Sequence, residues 1–367
     1  MFEFLHKSGF MTPRIHQIVA GYLPGNAVSN FARLTRKHIR AWGYQSEIYC
    51  DPKRTANSLR NDARDLHVLA DDCRPNDVAI LHITLSSPAN LIFPALRCRK
   101  VIMFHNITPS RYFRHINPAL VRNLDEGVRQ CASLAHVAEV NLVSSQFNAE
   151  CLLKMGFPHV SFLPFMVDLA EQHRDVNEDY RDRFNDGRVN ILFVGRVVPN
   201  KRHDDLLRVF HHFQHAVEPQ SRLIMAGSYG GTETYRSLLL SLAKELCLQQ
   251  VVLTGGLTQP RLNACYRSAS AFLCMSEHEG FCVPLLEAMY HNLPVLAVSS
   301  TAIPETLDGA GILFKERNYA LIAETMGQLL RDGMLREAVQ ARQQVRLASY
   351  LQQNFGDELR QALAPVL

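Results

Sequence analysis

Apolar residues along the chain fall into short runs, separated by longer stretches in which apolar and polar positions mix at helical spacing. The first series of runs is Ile15–Val19, Gln45–Tyr49, Val78–Ile83, Val101–Phe104, Val140–Ser144 and Val160–Pro164. A polar, acidic stretch from Asp168 to Asp186 interrupts it. A second series follows, at Val189–Val194, Arg222–Ala226, Val251–Thr254, Ala271–Met275, Val295–Val298 and Ile312–Phe314. Runs such as Val189-Asn-Ile-Leu-Phe-Val194 are nearly continuous in apolar residues, the pattern of strands buried on both faces of a parallel sheet. Strands alternating with helices predict parallel sheets with right-handed crossovers. Two series therefore predict an α/β chain of two doubly wound domains, residues 1–165 and 166–345. Residues 346–367 are expected to form a C-terminal helix packing back toward the first domain. Ligands of such sheets bind beyond the carboxyl ends of the strands, so the cleft between the domains is the predicted site.

Composition narrows the class. A chain of 367 residues, 47% hydrophobic and 20% charged, suits two domains of about 150–200 residues and excludes a disordered chain. The longest charge-free stretch, Val78 to Leu96, contains prolines, serines and a histidine, and reads as strand plus loop rather than a bilayer span. Residues 1–14 lack the apolar core of a secretion signal, which predicts a cytoplasmic protein. None of the nine cysteines forms a CxxC pair, which argues against a disulfide framework and a zinc knuckle. His211, His212 and His215 have metal-like spacing but no acidic partner in the usual pattern, so no metal site is expected. Residues 1–165 hold 19 Lys and Arg against 12 Asp and Glu, and the remainder holds 20 against 23. The basic half has no run of five cations and no nucleic-acid reading motif, so no nucleic-acid partner is expected.

Two segments carry chemistry. In Met275-Ser-Glu-His-Glu-Gly-Phe-Cys-Val-Pro-Leu-Leu-Glu-Ala-Met289 an apolar strand ends in a loop, and Pro284 suits the first turn of the next helix. Gly280 allows close backbone approach to a ligand, and the free N–H groups of the helix start suit an anion. Glu279 and Glu287 would flank phosphates and accept hydrogen bonds from sugar or ribose hydroxyls; alternatively, Glu287 merely complements the helix dipole. In the second segment the strand Val189–Val194 runs into Gly195 and Arg196, with Lys201 five residues on. Two cations on one strand-to-helix loop suit a diphosphate clamp. By itself the pattern fits a solvated basic loop equally well.

Together these segments resemble the retaining GT-B glycosyltransferases of family 4, through Gly195-Arg196 with Lys201, the Glu-x7-Glu element EHEGFCVPLLE, and Pro294-Val-Leu-Ala-Val with Ile-Pro-Glu305. The resemblance is close over 189–314 and loose before it, through Val101-Ile-Met-Phe-His-Asn-Ile-Thr-Pro109. It implies two facing Rossmann-like domains with a deep cleft, and a nucleotide-sugar donor, GDP- or UDP-linked, held mainly by the C-terminal domain without a metal. It implies a catalytic set of His105, Arg196, Lys201 and Glu279. Arg196 and Lys201 would hold the diphosphate, Glu279 the donor sugar and Glu287 the ribose. Gly280, Phe281, Cys282 and Val283 would contact sugar and phosphate through the backbone, and Leu257 would lie by the base. His105 would face the transferred sugar; a structural histidine is the alternative, as it is for His82. The family's glycine-rich loop after the first strand is replaced by Gly21-Tyr-Leu-Pro-Gly25-Asn26, which would approach the phosphate through Gly25 and Asn26.

The implied reaction is transfer of a hexose, mannose or glucose, to a glycan or lipid-linked glycan, as in bacterial surface-polysaccharide synthesis. The other readings are a phosphorylase, a sugar-nucleotide epimerase, and a sugar-binding protein without catalysis. Arg33, Arg36, Lys37 and Arg40 share helical spacing with Phe31, Leu34 and Trp42, and Arg111-Tyr-Phe-Arg114 follows His105. Such residues suit either peripheral contact with an anionic membrane surface or a solvated face above core aromatics.

Overall fold

The computed structural model describes residues 12–367, so residues 1–11, at the start of the expected first domain, lie outside the described part. Two all-parallel sheets organise the chain. The first contains β1 (Ile15–Val19), β2 (Ile48–Cys50), β3 (Arg64–Asp65), β4 (Val78–Ile83), β5 (Arg99–Phe104), β6 (Val140–Val143) and β7 (Ser161–Phe162), in the order β3-β2-β1-β4-β5-β6-β7. The second contains β8 (Val189–Val194), β9 (Ser221–Ala226), β10 (Val251–Gly255), β11 (Ala271–Cys274), β12 (Val295–Val298) and β13 (Ile312–Phe314), in the order β10-β9-β8-β11-β12-β13. Each is a Rossmann-like sheet, and its order reverses beside its first strand, β1 or β8. Loops leave in opposite directions there, which opens a crevice at the carboxyl ends.

β1, β4, β9 and β11 are buried along their whole length, as strands covered on both faces of a parallel sheet are. Agreement with the sequence pattern is closest for those strands. The run Gln45–Tyr49 becomes β2 only from Ile48, although the carbonyls of Gln45 and Glu47 still accept from the N–H groups of Ile15 and Gln17. β3 is two polar, exposed residues and carries no apolar signal.

The polar stretch after Phe165 is a linker with two short helices, Leu169–Gln172 and Glu178–Asp182. The expected division at 345/346 falls inside one continuous helix, Gly333–Leu351, which the helix Phe355–Leu363 follows. The end of the chain touches the N-terminal domain. Arg99 donates to the carbonyl of Leu367 at 3.3 Å, and the Tyr350 hydroxyl donates to that of Phe165. Among the described residues no helix is long and apolar enough to cross a membrane.

Candidate active site

The two crevices face each other across a cavity of about 370 Å³. The loop after β1 brings Gly25 and Asn26 to its wall. Asn26 caps the helix Ala27–Ala41, its side chain accepting from the N–H of Ser29. From the second domain come Gly195, Arg196 and Lys201 after β8, Glu279 after β11, and Val283 and Glu287 from the next helix. That helix, Val283–Tyr290, has Pro284 in its first turn, where a missing N–H costs nothing.

The two expected phosphate cations differ in state. Arg196 is exposed, and one guanidinium nitrogen donates to the carbonyl of Gly230 at 3.0 Å. No carboxylate pairs with it among the described residues. Lys201 is mostly buried, and its ammonium lies 2.5 Å from Oε2 of Glu279. Burial pulls the Lys201 ammonium down, but the charge of Glu279 outweighs it and the group sits above its ordinary range. The sequence reading gave these two residues separate ligands; here they hold each other. Thr301 supports the pair: it sits at φ 44°, rare for a β-branched residue, and its Oγ1 accepts the backbone N–H of Glu279 at 2.9 Å.

Behind the same carboxylate, the Sγ atoms of Cys274 and Cys282 and an oxygen of Glu279 lie within 4.8 Å of one another. The spacing of these three residues fits no CxxC rule, so this grouping has no sequence signature. Lys201 already supplies a positive charge to its carboxylate.

Glu287 accepts from the Tyr266 hydroxyl at 2.6 Å through Oε2, while Oε1 lies 3.5 Å from Nε2 of His173. Its other side faces the cavity. Sequence reasoning missed the contribution of the linker: Phe165, Met166, Val167 and Gln172 line the cavity, as do Gln259 and Leu262. An acidic connecting segment has no motif to mark it, and only the docking of the domains brings it to the site.

Five expected site residues are not in the cavity wall: His105, Leu257, Gly280, Phe281 and Cys282. His105 follows β5 as expected, but its ring is locked into a cluster. It stacks on His82 at 5.2 Å and meets Phe31 and Phe165 edge-on at 5.1 and 5.7 Å. Its Nε2 shares a hydrogen bond of 2.9 Å with Nδ1 of His82, whose Nε2 reaches Oε1 of Gln17 at 2.9 Å. Burial, and then the neighbouring His82, holds His105 well below its usual range and therefore neutral. Phe281 stacks on Phe165, and its carbonyl accepts from Thr306. Cys282 turns its buried thiol toward Cys274.

Gly280 has a different task from the one its sequence context suggests. A Cβ there would lie 2.7 Å from the carbonyl oxygen of His105 and 3.0 Å from Cβ of Asn106. The close approach it permits is that of the opposite domain. Its own carbonyl accepts from Ser145 Oγ at 2.8 Å and Asn148 Nδ2 at 3.2 Å. Next to it, Nε2 of His278 meets Oδ1 of Asn106 at 2.6 Å, and Asn106 donates onward to Asn148 at 2.8 Å. Burial, and then Lys201, lowers His278 to about 4, so the ring is a neutral donor. Glu305 accepts the backbone N–H of Gln146, the first residue of the helix Gln146–Lys154, at 2.7 Å. Tyr112 donates to Glu277 at 3.1 Å. These contacts seam the domains together around the cavity.

The basic face expected on the first helix is smaller than its sequence suggests. Arg36 turns inward to Asp62 at 2.6 Å, and Phe31 and Trp42 pack into the core, while Arg33, Lys37 and Arg40 stay exposed.

Residues 177–346 match the family model described as glycosyl transferases group 1. The matched residues run from the linker through β8–β13 and include Arg196, Lys201, Glu279 and Glu287, so the C-terminal half is similar to a glycosyltransferase group 1 domain. Among curated proteins, the Escherichia coli serotype-specific mannosyltransferase WbdA is 27% identical over 142 residues, 39% of this chain and 17% of its own. A GDP-mannose-dependent alpha-mannosyltransferase of Mycobacterium tuberculosis is 30% identical over 166 residues, 45% of this chain and 40% of its own. The matches thus span less than half of either relative. Among solved structures, Anabaena Alr3699/HepE in complex with UDP-glucose superposes with a TM-score of 0.74, at 13% identity, over 96% of this chain and 99% of that one. The fold is GT-B: two Rossmann-like domains facing each other across the cleft.

Proposed function

We propose that the protein is a retaining glycosyltransferase that moves a hexose from a nucleoside diphosphate sugar to a glycan or lipid-linked glycan. The observation that carries this reading is the convergence of Arg196, Lys201, Glu279 and Glu287 on one cavity at the carboxyl ends of β8 and β11. Cleavage of the donor bond builds negative charge on the leaving diphosphate. Arg196, with no carboxylate partner among the described residues, meets that charge directly, and Lys201 shares itself between Glu279 and a phosphate oxygen. Stabilisation that grows as the bond breaks lowers the barrier, and one such contact is worth about 2–4 kcal/mol. With this charge supplied by side chains, the reaction needs no metal. The leaving phosphate itself takes the acceptor proton, and His105 acts by shaping the acceptor side rather than by proton transfer, since its ring lies outside the cavity wall and its Nε2 is hydrogen-bonded to His82.

The mannosyltransferase relatives favour a GDP-mannose donor, and UDP-glucose is the second choice, from the ligand of the Anabaena structure. The exposed cations Arg33, Lys37, Arg111 and Arg114 would hold the enzyme to an anionic membrane surface at the cytoplasmic face, beside lipid-linked acceptors. Calorimetry with GDP-, UDP-, ADP- and dTDP-sugars tests the donor, followed by product analysis with lipid-linked glycans. Selective binding of one nucleotide series and retention of the anomeric configuration are expected. Phosphorolysis or epimerisation without an acceptor would overturn transferase function, and failure to bind anionic vesicles at low salt would remove the membrane contact.

A further inference from the structure

Behind Glu287, away from the cavity, lies a buried chain of polar rings that the donor reading leaves unused. The Tyr266 hydroxyl donates to Oε2 at 2.6 Å. Nε2 of His173 lies 3.5 Å from Oε1 and has no hydrogen-bond partner, although the residue is 1% exposed. Nδ1 of His173 meets Nε2 of His291 at 2.9 Å. The rings are packed together: His291 stacks on Tyr266 at 5.0 Å, and His173 stands edge-on to His291 at 4.7 Å and to Tyr266 at 5.5 Å. His173 directly follows the helix Leu169–Gln172, whose last residue lines the cavity with Met166 and Val167. The far side of His291 opens on a separate cavity beside Arg267.

A neutral imidazole offers one donor and one acceptor. Burial, and then His173, lowers His291 to about 3, so that ring is neutral. If Nε2–H of His291 donates to Nδ1 of His173, the proton of His173 sits on Nε2 and faces Glu287. The opposite assignment would aim a lone pair at a buried carboxylate, which is unfavourable. At 3.5 Å the N–H falls short of a hydrogen bond, and a carboxylate shift of about 0.5 Å closes it.

We propose that His173, backed by His291, is a positioning residue for Glu287. Its N–H and the Tyr266 hydroxyl fix the rotation of the carboxylate, so that the remaining lone pairs accept the 2′- and 3′-hydroxyls of the donor ribose. The proposal rests on the reading of Glu287 as the ribose contact. It makes the interdomain linker part of donor selectivity, because the residue that sets the carboxylate belongs to that linker.

Calorimetry with GDP and UDP, each against its 2′,3′-dideoxy form, tests this. The wild type is expected to prefer one ribonucleotide by about tenfold or more. His173→Phe should lose about tenfold for the ribonucleotide and nothing for the dideoxy form, which collapses the preference. His173→Gln, whose amide still donates, should keep most of it. His291→Phe keeps the stack on Tyr266 and should lose part of it; it carries the test alone if His173→Phe does not fold. Equal weakening of both forms in His173→Phe marks a merely structural residue and overturns the proposal. So does an undiminished preference in either folded Phe variant. A wild type that binds nucleotides with no ribose preference removes Glu287 as ribose contact, and the proposal with it. A wild type that binds no nucleotide at all overturns the donor reading first.

Discussion

The Lys201–Glu279 pair makes a prediction that separates a structural ion pair from a donor site. Glu279→Gln keeps the shape of the side chain and removes its charge. The ammonium lies 2.5 Å from the carboxylate, with the side chains 20% and 9% exposed. At an effective dielectric constant near 20 the direct attraction is about 6–7 kcal/mol, most of it offset by the cost of desolvating both ions. Removing one member leaves a mostly buried cation without its counter-charge, which costs about 3–5 kcal/mol for a fully buried pair. The residual exposure of Lys201 places this case near the low end, at about 3 kcal/mol. For a domain of this size that lowers Tm by about 6–12 °C.

Added nucleotide should then act differently on the two proteins. A diphosphate in the cavity offers Lys201 a replacement counter-charge, and in the variant it no longer faces the anionic Glu279. GDP or UDP should therefore raise Tm more in Glu279→Gln than in the wild type. Each tenfold gain in affinity adds about 1.4 kcal/mol at saturating ligand, about 3–6 °C. Thermal melts of both proteins over a nucleotide titration read this directly. A variant as stable as the wild type would refute the strained-cation argument. A variant that nucleotide stabilises less than the wild type would refute the placement of the diphosphate at Lys201.

Three further outcomes follow from the geometry. Arg196→Ala should leave Tm nearly unchanged, because the side chain is exposed, yet weaken nucleoside diphosphate binding about 10–100-fold in calorimetry; unchanged affinity would remove it from the clamp. Gly280→Ala puts a methyl group 2.7 Å from the His105 carbonyl and should cost about 1–3 kcal/mol or part the domains, seen as a lower Tm or a larger radius in X-ray scattering; no change in either would refute its role in the seam. Burial is the chief cause that lowers His82, His203 and His291 to about 3, and His16 and His278 to about 4. The unfolded chain, with histidines near 6.5, binds more protons between about pH 6.5 and 4, so stability rises with pH there and is lost on acidification, by up to about 1.4 kcal/mol per pH unit for each group. Denaturant melts from pH 7.5 to 5 should show a slope of several protons, and a slope below one would contradict it.

What the sequence made legible is what depends on the local chain. The continuous run Val189–Val194 could only be a buried strand, and Pro284 could only open a helix, so the frame of the second domain and the loops bearing Arg196, Lys201, Glu279 and Glu287 were readable in order. What stayed hidden depends on two distant segments meeting. Gly280 carried the right inference, that a backbone needs room there, and the wrong neighbour, because the carbonyl that fills the space belongs to His105. Lys201 and Glu279 are 78 positions apart, and nothing in either segment says that they neutralise each other. His105 was placed at the correct strand end, but its pairing with His82 across β4 and β5 follows from register alone.

The same distinction bears on how the cleft works. Glu279 and Gly280, which the sequence assigned to sugar and phosphate, lie in a loop that the structure also commits to the domain seam, through His278 and Gly280. Glu279 stands between Lys201 and the His278–Asn106 hydrogen bond, and Gly280 next to it touches the opposite domain. A diphosphate that draws Lys201 away from Glu279 therefore perturbs the segment that joins the domains. If the proposed donor binds there, its binding is coupled to the domain seam, and it shifts the arrangement of the domains only by the difference in its affinity for the arrangements available. Glu279→Gln, which breaks the pair without any ligand, should shift that arrangement in the absence of nucleotide. X-ray scattering of the variant, with and without GDP or UDP, reads the shift: a radius of gyration identical to the wild type in both states would uncouple the pair from the seam.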